Sequence, residues 1–175
     1  WKLNGSKLYI TNATIADFLL VAARTDPELK PQSISLFIVE LPNAGFEMHK
    51  LRKEGIRSSE TALIHITDAF VPHDCLLGET VGTYPVILES LSENRVGVAA
   101  NALGMARAAF DAARSFADTR IVAGKRVGDY QAIAHKLADM SARIEAAHWL
   151  VYYGAWRVDQ GTLDAATAAR VKLIA

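Results

Sequence analysis

The sequence predicts a segregated α+β protein: a small antiparallel β sandwich or barrel followed by part of an antiparallel helical bundle. Three observations predict it. Residues 1–81 carry short apolar runs separated by Pro, Gly and charged clusters, the punctuation of strands and loops. From residue 82 the apolar positions recur at three and four, and no proline follows Pro85. Ala-rich faces on these later segments allow the close approach that antiparallel helices need. The 175 residues are 51% apolar and 22% charged, enough for one ordinary domain or two small ones with a packed core. The expected division is a β domain over 1–81 and a helical domain over 82–175.

The first strand is read in "KLYITNA", residues 7–13. Leu8 and Ile10 alternate after the turn signal Asn4-Gly5, and the run stops at Thr11 and Asn12. Side chains two apart point to one side of a pleat, so Tyr9 and Thr11 are expected as neighbours, a flat ring beside a hydroxyl. Asn12 is expected to form the turn, its side chain bonding to its own backbone. On these seven residues alone the plainer reading is a surface hairpin with incidental polar residues. "DFLLVAAR" (17–24) and "SISLFIVEL" (33–41) follow as strands, with "TDPELKPQ" as the loop between them and "LPNAG" as a closing turn. "ALIHITDAFVP" (62–72) begins as a strand, with Leu63, His65 and Thr67 on one face and Ile64 and Ile66 on the other.

The helical part opens with one long helix over "YPVILESLSENRVGVAANALGMARAAFDAARSFADTR". Its apolar stripe is Leu88, Leu91, Ala99, Leu103, Ala106 and Phe110, and "IVAGKRVGD" interrupts it. A second helix is expected from Asp129, as N-cap, to about Gln160. Its stripe is Ile133, Leu137, Met140, Ile144, Ala147 and Val151, with Trp149 and Trp156 elsewhere on its surface as packing or interface residues. Gly161 stands where a C′ glycine ends a helix, and a third helix starts near Asp164. The sequence opens in mid-strand and closes in mid-helix, which reads as a fragment of a longer polypeptide.

Composition and motifs exclude several classes. The net charge is zero with no basic stripe, so no nucleic-acid partner is expected. No run of some 18 apolar residues offers a membrane span. Cys75 is alone, which rules out an internal disulfide and fits a reducing compartment. The five histidines lack zinc spacing, and the sequence holds no dinucleotide fingerprint, P-loop or nucleophile elbow.

Four stretches, in order, resemble the acyl-CoA dehydrogenase family and together cover essentially the whole chain. They are "WKLNGSKLYITNA"; "IRSSETALIHITDAFVPHDCLLGE"; "LSENRVGVAANALGMARAAFDAA", with Arg95, Ala99, Ala100 and Gly104 in the family's places; and "TRIVAGKRVGDYQAIAHKLADM". The resemblance implies a middle β domain facing the flavin of FAD and the first helices of a C-terminal bundle. It implies that Tyr9 lies against the flavin ring and that the Thr11 hydroxyl reaches its N5 edge, where a neutral donor favours electron uptake without a buried charge. It also implies that Arg120 reaches the FAD pyrophosphate of a neighbouring subunit, with Gln131, preceded by Tyr130, at the same cofactor end. A planar guanidinium fork suits that contact, and it requires a homodimer or homotetramer. The alternative for Arg120 is a simple helix C-terminal charge. Arg95 aligns with an arginine that helps bind acyl-CoA; its alternative is a solvated helix arginine. Arg57, Ser59 and Thr61 match a family signature that carries no assigned chemistry and shapes a loop.

The implied reaction makes a 2-enoyl-CoA from an acyl-CoA and passes electrons to an electron-transfer flavoprotein, in the bacterial cytoplasm or the mitochondrial matrix. Two alternatives stand beside it: an oxidase using the same fold, and a non-catalytic flavin-binding subunit. Three departures bear on the choice. Some members carry the base just before the arginine, where this chain has Asn94, an amide that takes no proton; Glu93 is one residue off, about 100° round the helix. No catalytic residue is therefore named: the base is expected beyond Ala175 or is absent altogether. Ser92 replaces an acidic residue, and Ala123-Gly124 replaces an aromatic-glycine pair that packs on the cofactor.

Overall fold

The computed structural model describes residues 1–26, 28, 33–78 and 82–175. The chain divides into two compact units, Trp1–Val86 and Ile87–Ala175. The first holds strands β1 (Lys2–Thr11), β2 (Phe18–Arg24), β3 (Ile34–Glu40), β4 (Phe46–Lys50) and β5 (Thr61–Phe70). They form two antiparallel sheets, ordered β1-β5-β4 and β2-β3. Leu3, Ile64 and Ile66 from one sheet share a core with Leu19, Val21, Phe37 and Val39 from the other. Both sheets are open, and no barrel closes among the described residues. Of the predicted 25–32 loop, Thr25, Asp26 and Glu28 are described, whereas Pro27 and residues 29–32 lie outside the described residues.

Asn4-Gly5 is not a turn. Strand β1 runs straight through it, and its pairing with β5 slips twice. Between Leu3 and Gly5 the extra residue is on β5; between Lys7 and Ile10 it is on β1, where Leu8 and Tyr9 face the single Leu63. The two slips lie on opposite strands and cancel, so Lys2↔Phe70 and Thr11↔Thr61 share one frame. Asn4 fills the first gap in the ladder: its Oδ1 accepts from the Asp68 amide at 2.8 Å and its Nδ2 donates to Asp68 Oδ1 at 3.1 Å. Lys2 adds an ion pair to Asp68 at 3.0 Å, and Asp68 takes φ 50°. On β5 the bulge also changes which residues face inward, from Ala62, Ile64 and Ile66 to Ala69.

The second unit contains most of α1 (Tyr84–Thr119), a hairpin of β6 (Ile121–Val122) and β7 (Lys125–Arg126), then α2 (Gln131–Asp159) and α3 (Ala165–Ile174). Helix α1 buries Ser92, Val96, Ala99 and Leu103, steps of four, three and four residues that keep one face. Leu91, expected in that stripe, lies about 100° off the line and is exposed, and Leu88 borders an open cleft. A Cβ on Gly154 of α2 would sit 3.4 Å from Val96 and 2.9 Å from Val171 of α3, and Arg107 of α1 lies 2.7 Å from His148 of α2. As α1 advances from 96 to 107, α2 therefore retreats from 154 to 148, an antiparallel pair.

Asp129 is not the cap of α2. Arg126 grips both of its carboxylate oxygens, at 3.0 and 3.1 Å, and Tyr130 holds the cap position without a side-chain bond. Met140 of the expected α2 stripe is exposed. Gly161 ends α2 at φ 62°, with Gly161 N–H donating to Val158 and Thr162 N–H to Arg157, a Schellman closure. Asp164 caps α3 by accepting from the Thr167 amide at 2.8 Å. No helix of the described residues is long and apolar enough to cross a membrane.

Candidate functional site

The chemistry-bearing residues gather at two places, one in each unit. In the β unit they sit where β1 ends. Tyr9 lies inside the bulge at φ 62°, so the simple alternation that predicts Tyr9 beside Thr11 does not run through this segment. A left-handed conformation is costly for a ring-bearing residue and persists only where its surroundings enforce it. Here the residue is left 72% exposed. Thr11 is exposed, and its hydroxyl makes no hydrogen bond among the described residues.

Asn12 turns the chain by its own backbone, at φ 59°, into the short 3-10 turn Ala13–Ile15. Its side chain does not bond to its own backbone as predicted; its Oδ1 accepts from Ser59 Oγ at 3.2 Å. The Asn12 amide donates to the Glu60 carbonyl at 2.9 Å. The Glu60 carboxylate in turn accepts from Lys50 Nζ and Thr14 Oγ1. The Lys50 bond first, then the Thr14 bond, hold the Glu60 carboxyl below its ordinary range. Asn12, Thr14, Ser59, Glu60 and Thr61 are thus all engaged, while Tyr9 and Thr11 stay open.

The loop 51–60 closes the same corner. Lys53 Nζ donates to Thr61 Oγ1 at 3.0 Å, and Arg57 Nε donates to the Glu54 carbonyl at 3.2 Å. Each residue of the Arg57, Ser59, Thr61 signature therefore has a bond that shapes this loop. Sequence reasoning missed Glu60 and Lys50. Glu60 sits immediately before the Thr61 position of the signature, the one hint available, and Lys50 looks like any strand-end lysine.

In the helical unit Arg120 and Gln131 flank the hairpin. The Arg120 amide donates to the Phe116 carbonyl at 2.9 Å, and its own carbonyl accepts from Val127 at 2.8 Å. Its guanidinium is exposed with no partner among the described residues, as is the amide of Gln131, first residue of α2. Ala123 at φ 49° and Gly124 at φ 77° make a two-residue type I′ turn, so the stretch predicted only as an interruption is a formed hairpin. Tyr130 braces it, its hydroxyl donating to the Val122 carbonyl at 2.7 Å with Lys125 over its ring at 5.0 Å.

Arg95 is half-buried midway along α1 without an ion pair among the described residues, and Asn94 beside it is exposed. Ser92 donates to the Leu88 carbonyl at 2.9 Å. Glu93 borders a cleft of about 290 Å³ with Glu89, Val158, Gly161 and Leu163. Two helical steps put Glu93 about 200° from Arg95, nearly the opposite face. Trp149 and Trp156 are 65% and 53% exposed; Trp149 Nε1 donates to Glu145 and Trp156 stacks on Tyr153. Burial raises the Cys75 thiol above its usual range, and no group of three metal-ligating side chains forms a site among the described residues.

A two-sheet antiparallel unit with an open, braced strand end, followed by an antiparallel helix pair, defines a class, and that class has a match. Residues 1–69 match the acyl-CoA dehydrogenase middle domain, and residues 84–175 match the acyl-CoA dehydrogenase C-terminal domain. The chain belongs to the acyl-CoA dehydrogenase family. It is 37% identical over 172 residues to the short-chain specific acyl-CoA dehydrogenase of Clostridium acetobutylicum, covering 98% of this chain and 45% of that protein. The solved butyryl-CoA dehydrogenase of Megasphaera elsdenii is similar at a TM-score of 0.91 with 39% identity, covering 99% of this chain and 45% of that one. The FAD complex of PigA is similar at a TM-score of 0.91 with 28% identity, covering 99% and 46%. The chain spans less than half the length of the curated relatives it matches.

Proposed function

We propose that this chain is the flavin-facing part of an FAD-dependent acyl-CoA dehydrogenase that converts an acyl-CoA to a 2-enoyl-CoA and passes electrons to an electron-transfer flavoprotein. Residues 1–81 serve as its β domain and 82–175 as the start of its helical bundle. The observation that carries the reading is the strand end at Tyr9–Thr11, where a ring and a hydroxyl stand open while each polar neighbour named above is bonded. A flavin ring is flat, apolar on its faces and polar along one edge, and these two side chains suit those surfaces.

When bound, FAD supplies the acceptor for the hydride that leaves the β carbon. The chain's own residues do the positioning. Tyr9 packs on the ring, and the Thr11 hydroxyl donates at the N5 edge without bringing a charge. Arg120 and Gln131 hold the pyrophosphate end of the FAD of a neighbouring subunit, which makes the protein a homodimer or homotetramer. Arg95 offers a cation to the acyl-CoA. Asn94 takes no proton and Glu93 faces away from Arg95, so the base that removes the α-proton lies outside residues 1–175. The setting is a soluble compartment, the bacterial cytoplasm or the mitochondrial matrix.

The test is the visible spectrum of the purified full-length protein under anaerobic conditions, before and after addition of butyryl-CoA and longer acyl-CoAs. Bleaching of a bound flavin by one thioester is the expected result. A protein without flavin, or a flavin that no thioester bleaches, overturns the reading.

A further inference from the structure

The signature Arg57, Ser59, Thr61 shapes a loop, and the loop has a concave side. Lys50, Arg52, Lys53 and Arg57, with Glu54 and Ser59, line a cleft of about 290 Å³. The whole chain has as many acids as bases, yet the eight residues 50–57 hold four cations and one carboxylate. The cations are held in different ways. Lys50 is neutralised by Glu60 and Arg57 reaches Glu54, whereas Lys53 is fixed by a neutral hydroxyl, that of Thr61. Arg52 has no partner among the described residues. The loop thus keeps two positive charges uncompensated on a fixed rim, and uncompensated cations in a concavity favour a multiply charged anion.

The backbone supports the same conclusion. Ile56 stands at φ 46° and is 74% exposed, with Ser59 N–H donating to its carbonyl at 3.2 Å to close the turn. A β-branched residue in that conformation is a genuine outlier, and such strain collects at ligand clamps. The volume lies at the lower edge of ligand pockets, room for an end group rather than a whole cofactor. The place is also informative, because Thr61, which orients Lys53, pairs directly with Thr11 at the open strand end.

We propose that this cleft is a nucleotide-phosphate subsite, with Arg52 and Lys53 as the residues that contact the phosphate. The assignment of the phosphate to a nucleotide rests on the reading of the chain as an acyl-CoA dehydrogenase, which brings two sources, coenzyme A and FAD. Guanidinium and ammonium together suit a phosphate dianion, the first by its planar fork and the second as a point charge.

The experiment titrates the flavin-bound full-length protein with adenosine 3′,5′-bisphosphate, the end group of coenzyme A, and with inorganic phosphate, by calorimetry. Neither measurement needs turnover, so a failure here is distinct from a failure to bleach. The bisphosphate is expected to bind more tightly than phosphate and to weaken with added salt. The double variant Arg52→Ala, Lys53→Ala is expected to bind it about tenfold more weakly, one lost charge-assisted contact or more. The same loss with flavin content unchanged assigns the subsite to coenzyme A. Loss of flavin from a variant that regains the parent's thermal melt in excess FAD assigns it to FAD and also sustains the proposal. Arg52→Gln alone breaks no bond among the described residues, so it separates binding from folding. No binding by the parent protein, or variants with unaltered bisphosphate affinity and flavin content, overturns the proposal.

Discussion

The strand end at Tyr9–Thr11 and the hairpin flanked by Arg120 and Gln131 both offer open side chains to the proposed FAD sites, but they are built by opposite means. Among the described residues, Tyr9, Asn12, Ile56 and Asp68 in the β unit take positive φ without being glycine, against Ala123 alone in the helical unit. Around the strand end Ser59, Glu60, Lys50 and Thr14 all bond inward, and Asn4 does the same for Asp68. The hairpin needs little of this. Its type I′ turn matches the natural twist of its strands, and one tyrosine hydroxyl braces it. An irregular strand must be over-determined by its neighbours to stay in place, whereas a regular hairpin presents its flanking residues at small cost.

The comparison breaks first at the glycines. A Cβ on Gly45 would overlap Ala69 Cα and lie 2.8 Å from Ala69 N, both backbone atoms, beside the bulge where Gly45 accepts from Thr67 at 2.9 Å. Gly45→Ala is expected to cost about 3 kcal/mol or to prevent folding, because the opposing strand has nowhere to move. Gly154→Ala meets side-chain methyls rather than backbone, those of Val171 at 2.9 Å and Val96 at 3.4 Å, and is expected to cost about 1 kcal/mol. Urea unfolding of the full-length variants measures both. Equal costs would show that the sheet is no more tightly determined than the helix pair.

A milder cut sharpens the comparison through pH. The folded Glu60 carboxyl titrates below its unfolded value, because Lys50 and then Thr14 bond to its ionised form. A group depressed in this way stabilises the fold above the unfolded pKa, and that stability is lost as pH falls through the folded pKa. Glu60→Gln is therefore expected to flatten the acid limb of the stability curve below the ordinary carboxylate pKa of 4.5 and to shift the spectrum of the bound flavin. Asp164, lowered by its bonds to Thr167, also loses stability in acid, but Asp164→Asn is expected to leave the flavin spectrum unmoved. A flavin spectrum unchanged in Glu60→Gln would mean that the brace does not reach Thr11.

Much of this was legible in the sequence, and the losses have physical reasons. Apolar runs bounded by loop residues found β2 and β3, and alternation found the start of β5, because a strand that buries one face writes a period of two into the chain. Gly161 and Asp164 marked their helix ends because each acts within four residues. The misreadings came where a partner distant in sequence decides. Asn4-Gly5 carries turn chemistry, but Asp68, 64 residues away, turns it into a ladder patch. Asp129 is the exception: it has the chemistry of a cap, but its competitor Arg126 stands only three residues before it and takes both carboxylate oxygens. Tyr9 and Thr11 were singled out by residue type and resemblance, whereas the bulge and the Glu60 brace that hold them depend on β5 and on the loop before it. Such contacts leave no local period to read.

The smallest expected effect separates strain that serves a ligand from strain that does not. Ala123 at φ 49° carries a Cβ where the left-handed region costs an L-residue about 1–2 kcal/mol. Asparagine tolerates that region and is favoured with glycine in a type I′ turn, so Ala123→Asn should recover about 1 kcal/mol. For a cooperative unit of about 150–250 residues that is a rise of about 2–4 °C in Tm, with flavin content unchanged. Tyr9→Asn relieves strain of the same sign at φ 62° and should also raise the Tm of the flavin-free protein, but it removes the ring and should weaken flavin retention. Flavin content measured beside Tm in both variants decides the matter. If both keep their flavin, the left-handed turn at Tyr9 is an accident of the bulge; if Tyr9→Asn alone loses it, the sheet holds Tyr9 in a costly conformation because that conformation presents the ring.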